Sequence, residues 1–207
     1  MIRILGSIPV DVTVALSGGP DSVALLDFLL RGRKNVKAAY FHHGTEHADK
    51  ALGFVRALCE DKGVPLDEGF ISECNSGKKS QEEHWRDERY RFLETLPGTI
   101  VTGHHLDDAV EWWIFSSLHG SGKLIPYRRG RVIRPLLLTP KSSLSRWCMK
   151  RDVPYILDPG NKSEKYMRSI IRNSIVPSAL KVNPGLRTVL KKKIQNEFEE
   201  KGKTLYV

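Results

Sequence analysis

Ser17, Gly18, Gly19, Pro20, Asp21 and Ser22 put two hydroxyls, two glycines and a carboxylate in one short run. Glycine lets backbone N–H groups come close to an anion, and a helix starting just after such a turn adds unsatisfied donors and a partial positive charge. That is the chemistry of a phosphate cradle. No lysine follows the glycines as in G-x-x-x-x-G-K-[ST], and the run is not G-x-G-x-x-G. Transfer of a terminal phosphoryl group therefore loses support. Asp21 beside a polyphosphate would repel it unless Mg²⁺ bridged the two, so the aspartate points to magnesium-bound nucleotide. The structural alternative is a strand-to-helix turn capped by Ser17 and Asp21.

A second constellation lies at His104, His105, Asp107, Asp108 and Glu111. Asp108 and Glu111 are three apart and share a face of any helix through them, with His104 just before its first turn. A carboxylate there could take a proton from an attacking amine, or hold a cationic amine before attack. The bland reading makes Asp107 and Asp108 first-turn acids that complement the helix dipole. Zinc held by His104, His105 and Asp108 is a third reading, disfavoured because adjacent histidines rarely point the same way. Arg86 and Arg89, and separately Arg168 and Arg172, are spaced to share a helix face. Each pair could grip phosphate or simply form a solvated stripe. Lys191, Lys192 and Lys193 read as an exposed helix end or a nonspecific RNA contact.

These groups need a scaffold, and the hydrophobic pattern supplies one. Val10 to Leu16 is a β-branched run that enters the glycine turn, and Ser22 to Leu30 has helical spacing. Val36–His43 reads as a strand, Glu46–Lys62 as a helix ended by Gly63, and Val64–Ile71 as extended chain. Ser80 opens a helix with capping-box spacing that Pro97-Gly98 follows. Thr99–Gly103 reads as a short buried strand and Leu106–Leu118 as a helix. This alternation predicts βαβ units and an α/β fold: an open, mainly parallel sheet with helices on both faces. Beyond Gly122 the expectations are a basic loop or irregular hairpin over Lys123–Arg134 and a helix capped by Thr139-Pro140. A last edge strand is expected at Tyr155–Leu157, then helix from Ser163, interrupted at Pro177 and restarted at Asn183-Pro184. Residues 1–160 are expected as a catalytic domain and 161–207 as a basic helical tail.

At 40% hydrophobic and 28% charged the chain can build a real core, which excludes wholesale disorder. The longest nearly apolar stretch, Val23–Leu30, contains Asp27 and falls far short of the roughly 18 residues that span a bilayer. No membrane partner is expected. Met1–Val10 lacks the pattern of an export signal, so cytoplasm is the expected location. Cys59, Cys74 and Cys148 have no C-x-x-C spacing and read as reduced thiols. Charge is unevenly placed. Residues 1–122 carry 13 Lys and Arg against 18 Asp and Glu, net −5, and residues 123–207 carry 20 against 6, net +14. Such clustering suggests a polyanion, RNA or DNA, docking on one side of the molecule, with solvated helix faces as the alternative.

S-G-G-x-D-S at this location resembles the PP-loop, or N-type ATP pyrophosphatase, family. Six further segments resemble its tRNA(Ile)-lysidine synthetase branch in order. They are His43-Gly44, with Thr45-Glu46 in place of Leu-Arg; Glu83 to Tyr90, like E-x-x-R-x-x-R-Y; and Gly103 to Glu111, like A-H-H-x-D-D-x-x-E. Gly120-Ser121-Gly122 with Arg134-Pro135-Leu136-Leu137, Asp158 to Asn161, and Arg168 to Arg172, with Ser169 in place of Asn, complete the set. The resemblance implies an adenine nucleotide alpha hydrolase-like fold that cleaves ATP between its α and β phosphates. It implies ATP on Ser17, Gly18, Gly19, Asp21, Ser22 and His43, with Mg²⁺ held through the phosphates beside Asp21. It implies Asp21, Asp108, Glu111, Arg86 and Arg172 as catalytic residues, and His104, Arg89, Arg168 and Lys191–Lys193 toward substrate and RNA. The partners implied are L-lysine and a tRNA, tRNA(Ile) with a CAU anticodon. Members of the branch usually continue into C-terminal RNA-binding domains, so a compact form is implied that could dock tRNA through its basic tail or act as a homodimer. Two other outcomes remain open: a PP-loop relative that activates an RNA base for thiolation or amidation, and a noncatalytic nucleotide- and RNA-binding relative.

Overall fold

The computed structural model describes residues 1–71, 80–158 and 167–204. Its centre is a six-stranded sheet in the order β3-β2-β1-β4-β6-β5. The strands are β1 (Asp11–Ala15), β2 (Asn35–His42), β3 (Leu66–Phe70), β4 (Thr99–Thr102), β5 (Arg128–Arg129) and β6 (Val132–Ile133). All neighbours run parallel except β5, which turns back on β6 as a short hairpin around Gly130. The basic segment thus forms the irregular hairpin the sequence suggests, and one of its strands also extends the sheet. Val14, flanked by Ala38 and Val101, is fully buried, as a central strand covered on both faces requires.

The helices are α1 (Pro20–Arg31), α2 (Glu46–Lys62), α3 (Gln81–Thr95), α4 (Leu106–Leu118), α5 (Lys141–Lys150), α6 (Met167–Ile170), α7 (Val176–Val182) and α8 (Leu186–Thr204). Among the described residues no helix is long and apolar enough to cross a membrane. α3 lays Tyr90 and Leu93 against Ala39, Ile100 and Val132 on one side of the sheet. On the other side α1 and α5 join the main core through Leu25, Leu26, Leu144 and Cys148. A further cluster joins Leu106, Val110 and Ile114 of α4 to Leu186, Leu190 and Ile194 of α8. At about 1.5–3 kcal/mol for each large side chain fully buried, this contact makes α8 part of the packed body.

Several expectations need correction. Tyr155–Leu157 is not a strand: it runs as coil, and the Ile156 N–H bonds to the Gly18 carbonyl at 3.0 Å. Thr139 does not cap α5, whose preceding residue is Pro140, because its hydroxyl is committed to both backbone groups of Arg3. Pro177 does not interrupt the helix. A π turn, Ile171–Ile175, links α6 to α7, and Pro177 sits in the first turn of α7, where its missing N–H costs least. The break falls at Asn183, whose side chain accepts from the Gly185 N–H. Lys191–Lys193 lie within α8 and not at its end. Expectations on Cys74, on Pro159 to Asn161 and on the helix start at Ser163 lie outside the described residues.

Candidate active site

Strand order reverses between β1 and β4, and an open parallel sheet leaves its ligand crevice at the carboxyl ends of the strands on either side of such a reversal. The glycine turn follows β1 and His104-His105 follows β4, so the topology brings the two sequence constellations to one crevice. Their approach is close. A Cβ on Gly103 would stand 3.1 Å from backbone atoms of Asp21 and Ser22.

Hydroxyls organise the turn. Ser22 Oγ accepts from the Ser17 N–H at 3.1 Å, lies 3.1 Å from Ser17 Oγ and donates to the Gly19 carbonyl at 3.1 Å. Gly18 has φ of +79°, and a side chain there would press on Ile156 and Phe54 at 3.2 Å. Thr45, Ser80 and His105 cap α2, α3 and α4 with their side chains, whereas Gly19 at the start of α1 makes no side-chain cap. The one backbone N–H among the described residues that Ser17 Oγ accepts from is that of Gly19, ahead of the helix, at 3.4 Å, and Asp21 makes no cap, so the first-turn donors of α1 remain available to an anion. Thr45 also accounts for one departure from the family pattern, since it accepts from the Ala48 N–H at 3.2 Å.

Asp21 faces across the crevice. Its Oδ2 lies 3.4 Å from His105 Nε2 and 3.9 Å from Lys141 Nζ, and its Oδ1 is buried without a hydrogen-bond partner among the described residues. An orphaned carboxylate oxygen beside an uncapped helix start is a donor set that fits Mg²⁺ carried by phosphates. His105 is 3% exposed, and its other nitrogen, Nδ1, accepts from the Asp108 N–H while Asp108 Oδ2 accepts from the His105 N–H at 2.9 Å. Burial alone would lower the His105 pKa, but Asp108 and Asp21 outweigh it and raise it. The neighbouring His104 turns away to Thr102 Oγ1 at 2.8 Å, and burial together with Arg134 and Arg89 holds it neutral, far below the usual histidine value. Because the rings diverge they share no ion, and among the described residues no three His, Cys, Asp or Glu side chains are arranged to hold a metal by themselves.

The geometry divides the acidic pair. Glu111 is 2% exposed, and its two oxygens accept from Arg168 Nε at 2.9 Å and Arg172 Nε at 2.8 Å. Asp108 is less buried, and its Oδ1 lies 3.9 Å from Arg172. Arg168 and Arg172 do form one stripe, and that stripe is spent first on a carboxylate. Asp107 likewise accepts from Arg187 of α8 at 2.7 Å and from the Lys141 N–H at 2.8 Å. Arg86 and Arg89 sit half-buried around the Tyr90 ring, each 5.8 Å from its centre. His43, just after β2, lies edge-on to Phe41 at 5.0 Å and 5.6 Å from Trp85, and its Nδ1 is buried without a partner among the described residues. Lys191 is half-buried, and Lys192 and Lys193 are exposed on α8.

Sequence reasoning did not single out Lys141 or Arg129; it named His105 only as a candidate zinc ligand and Arg134 only within a matched segment, and assigned neither the contacts they make here. His105 carries a usable signal: an aspartate three residues on gives the reciprocal spacing of a capping box, although histidine is an uncommon cap. Lys141, Arg129 and Arg134 reach the crevice only through chain reversals that no local pattern shows.

Comparison with known proteins finds relatives, a likeness of fold and a family. The relatives include the bifunctional protein TilS/HprT of Listeria innocua, 32% identical over 84% of this chain and 30% of the relative. They also include the tRNA(Ile)-lysidine synthases of Bacteroides thetaiotaomicron, 31% identical over 86% of this chain and 45% of the relative, and of Thermosipho africanus, 30% identical over 91% and 48%. The chain thus spans between about a third and a half of the length of these relatives. Among solved structures, the NH3-dependent NAD synthetase of Campylobacter jejuni superposes with a TM-score of 0.51 over 92% of this chain and 86% of that one, at 17% identity, which is a likeness of fold. A family model described as a PP-loop domain matches residues 8–179, and with the uncapped, serine-tied glycine turn at its expected place the chain belongs to the PP-loop domain family.

Proposed function

We propose that the protein is an ATP-dependent RNA-modifying ligase that joins lysine to C2 of an anticodon cytidine of tRNA(Ile), forming lysidine and releasing AMP and pyrophosphate. The observation that carries the reading is the uncapped start of α1, with Ser17 and Ser22 tied across it and Asp21 beside it, one carboxylate oxygen near His105 and Lys141 and the other buried without a partner among the described residues. Similarity to the tRNA(Ile)-lysidine synthases supplies the substrate class.

Two steps balance. The cytidine O2 attacks the α phosphorus of ATP and pyrophosphate leaves; the lysine ε-amine then attacks C2, loses a proton, and AMP leaves with the former O2. The first step turns a poor leaving oxygen into a phosphate ester. Donors of the glycine turn hold the departing pyrophosphate, and Lys141, beside Asp21, offsets its charge. Mg²⁺ when bound would neutralise phosphate charge next to Asp21. His105 fixes Asp21 and Asp108 in mutual position. Asp108 holds the ammonium of lysine and accepts its proton, and Glu111 aims Arg168 and Arg172. Arg86 adds positive charge on the RNA side of the crevice, and His43 with Trp85 walls the nucleotide end. The base must leave its stack to enter, as a single-stranded loop permits.

The test is transfer of labelled lysine to an anticodon stem-loop RNA with a CAU loop. Label should become RNA-bound only when ATP is present. ATP-dependent modification without lysine would favour the thiolation or amidation reading, and binding of nucleotide and RNA without any turnover would favour the noncatalytic one.

A further inference from the structure

The arginines around Tyr90 form a second cationic centre in the crevice. Arg134 is 3% exposed; one terminal nitrogen donates to the Pro126 carbonyl at 2.8 Å, the other donates to the Tyr90 hydroxyl at 2.8 Å, and its Nε is buried with no partner among the described residues. Arg129, on the exposed edge strand β5, places its guanidinium 4.7 Å from the centre of the same ring. Arg86 and Arg89 approach from α3, and Arg86 also lies over Trp112. None of these four makes an ion pair with an acid among the described residues. A buried guanidinium without a counter-charge costs several kcal/mol, and like charges gathered on one ring add to that cost.

We infer that Arg86, Arg89, Arg129 and Arg134 form a pocket for one phosphodiester of the RNA strand, separate from the glycine turn and its nucleotide. The inference rests on the RNA-ligase reading and names the part of the substrate that this side of the crevice receives. β6 lies two strands from β1, about 10 Å at ordinary strand spacing, so the pocket stands beside the nucleotide site and not within it. A base inserted between the two carries a backbone phosphate on each side, at the rim where Arg129 is exposed. Planar guanidinium groups match phosphate oxygens in pairs, and Arg134 Nε is a buried donor without a partner among the described residues. Burial and mutual repulsion also lower the pKa values of Arg86 and Arg89, a strain that an anion would relieve.

The probe is a CAU stem-loop RNA, with affinity measured from low to moderate salt for the native protein and for Arg129→Gln and Arg86→Gln. Arg129 is exposed, so its variant should fold normally. Each variant should make the plot of log affinity against log salt shallower by about 0.7–0.9, the loss of one phosphate contact, with ATP affinity unchanged. An RNA carrying one neutral methylphosphonate next to the target cytidine should reproduce the shallower slope on the native protein and show no further loss on Arg129→Gln. Native and variant slopes that coincide would overturn the pocket while leaving the ligase reading intact. Loss of ATP affinity without a change in RNA slope would assign the arginines to the nucleotide. A native protein that binds no RNA would remove both.

Discussion

His43 follows β2 against Phe41 and Trp85, and burial, with Arg89 close by, pushes its pKa down to about 4. A histidine that titrates lower in the fold than its ordinary 6.5 takes a proton more readily in the unfolded chain. Stability is therefore intact above pH 6.5 and falls as pH drops from there toward 4. Between pH 7 and pH 5 this residue alone should cost about 2 kcal/mol, and His43→Gln should remove that part of the decline in urea unfolding. An unchanged decline would mean the imidazole is solvated. Asp21→Ala should abolish pyrophosphate release while leaving RNA affinity within about twofold; parallel loss of both would make the turn a folding element. At this scale the sequence was most legible where chemistry is local. The serines and glycines of the turn stand within six residues, so their type and spacing carry their use. Glu111 was legible as a candidate but its pairing was not, because the arginines that occupy it lie 57 and 61 residues away.

Helix starts show how elements divide between structure and function. α2, α3 and α4 each satisfy their first turn with a side chain, worth about 1 kcal/mol apiece, and α1 forgoes that contribution at the turn where the proposed function seats the phosphates of ATP. α8 is tied into the body by Leu190, fully buried against α4, and by Arg187 on Asp107. Leu190→Ala should cost about 2–5 kcal/mol in denaturant unfolding and Val189→Ala, on the exposed side, less than about 0.5. Equal small effects would make residues beyond 183 a loosely appended tail. Hydrophobic periodicity revealed every long helix and the central strands, because both faces of the sheet are covered and the pattern is strong. It misjudged Tyr155–Leu157, an apolar segment that packs on the glycine turn as coil, and Pro177, where a π turn absorbs what a proline would otherwise break.

Over the whole molecule the acidic first part and the basic second part neutralise each other at α4. The tail's three arginines, Arg168, Arg172 and Arg187, all pair with acids of that helix. On the proposed RNA-ligase reading, the arginines around Tyr90 and exposed lysines such as Lys192 and Lys193 are left to meet RNA, and affinity for a stem-loop should fall steeply with salt. A flat dependence would contradict docking through the backbone. Charge counting along the sequence locates the basic half but not its internal pairing, which depends on α8 folding back over α4. The position of ATP cleavage tests the chemistry most directly. With lysine, a CAU stem-loop and ATP labelled at the α phosphate, the products should be labelled AMP and unlabelled pyrophosphate, one of each per lysine joined; labelled ADP with orthophosphate would contradict it.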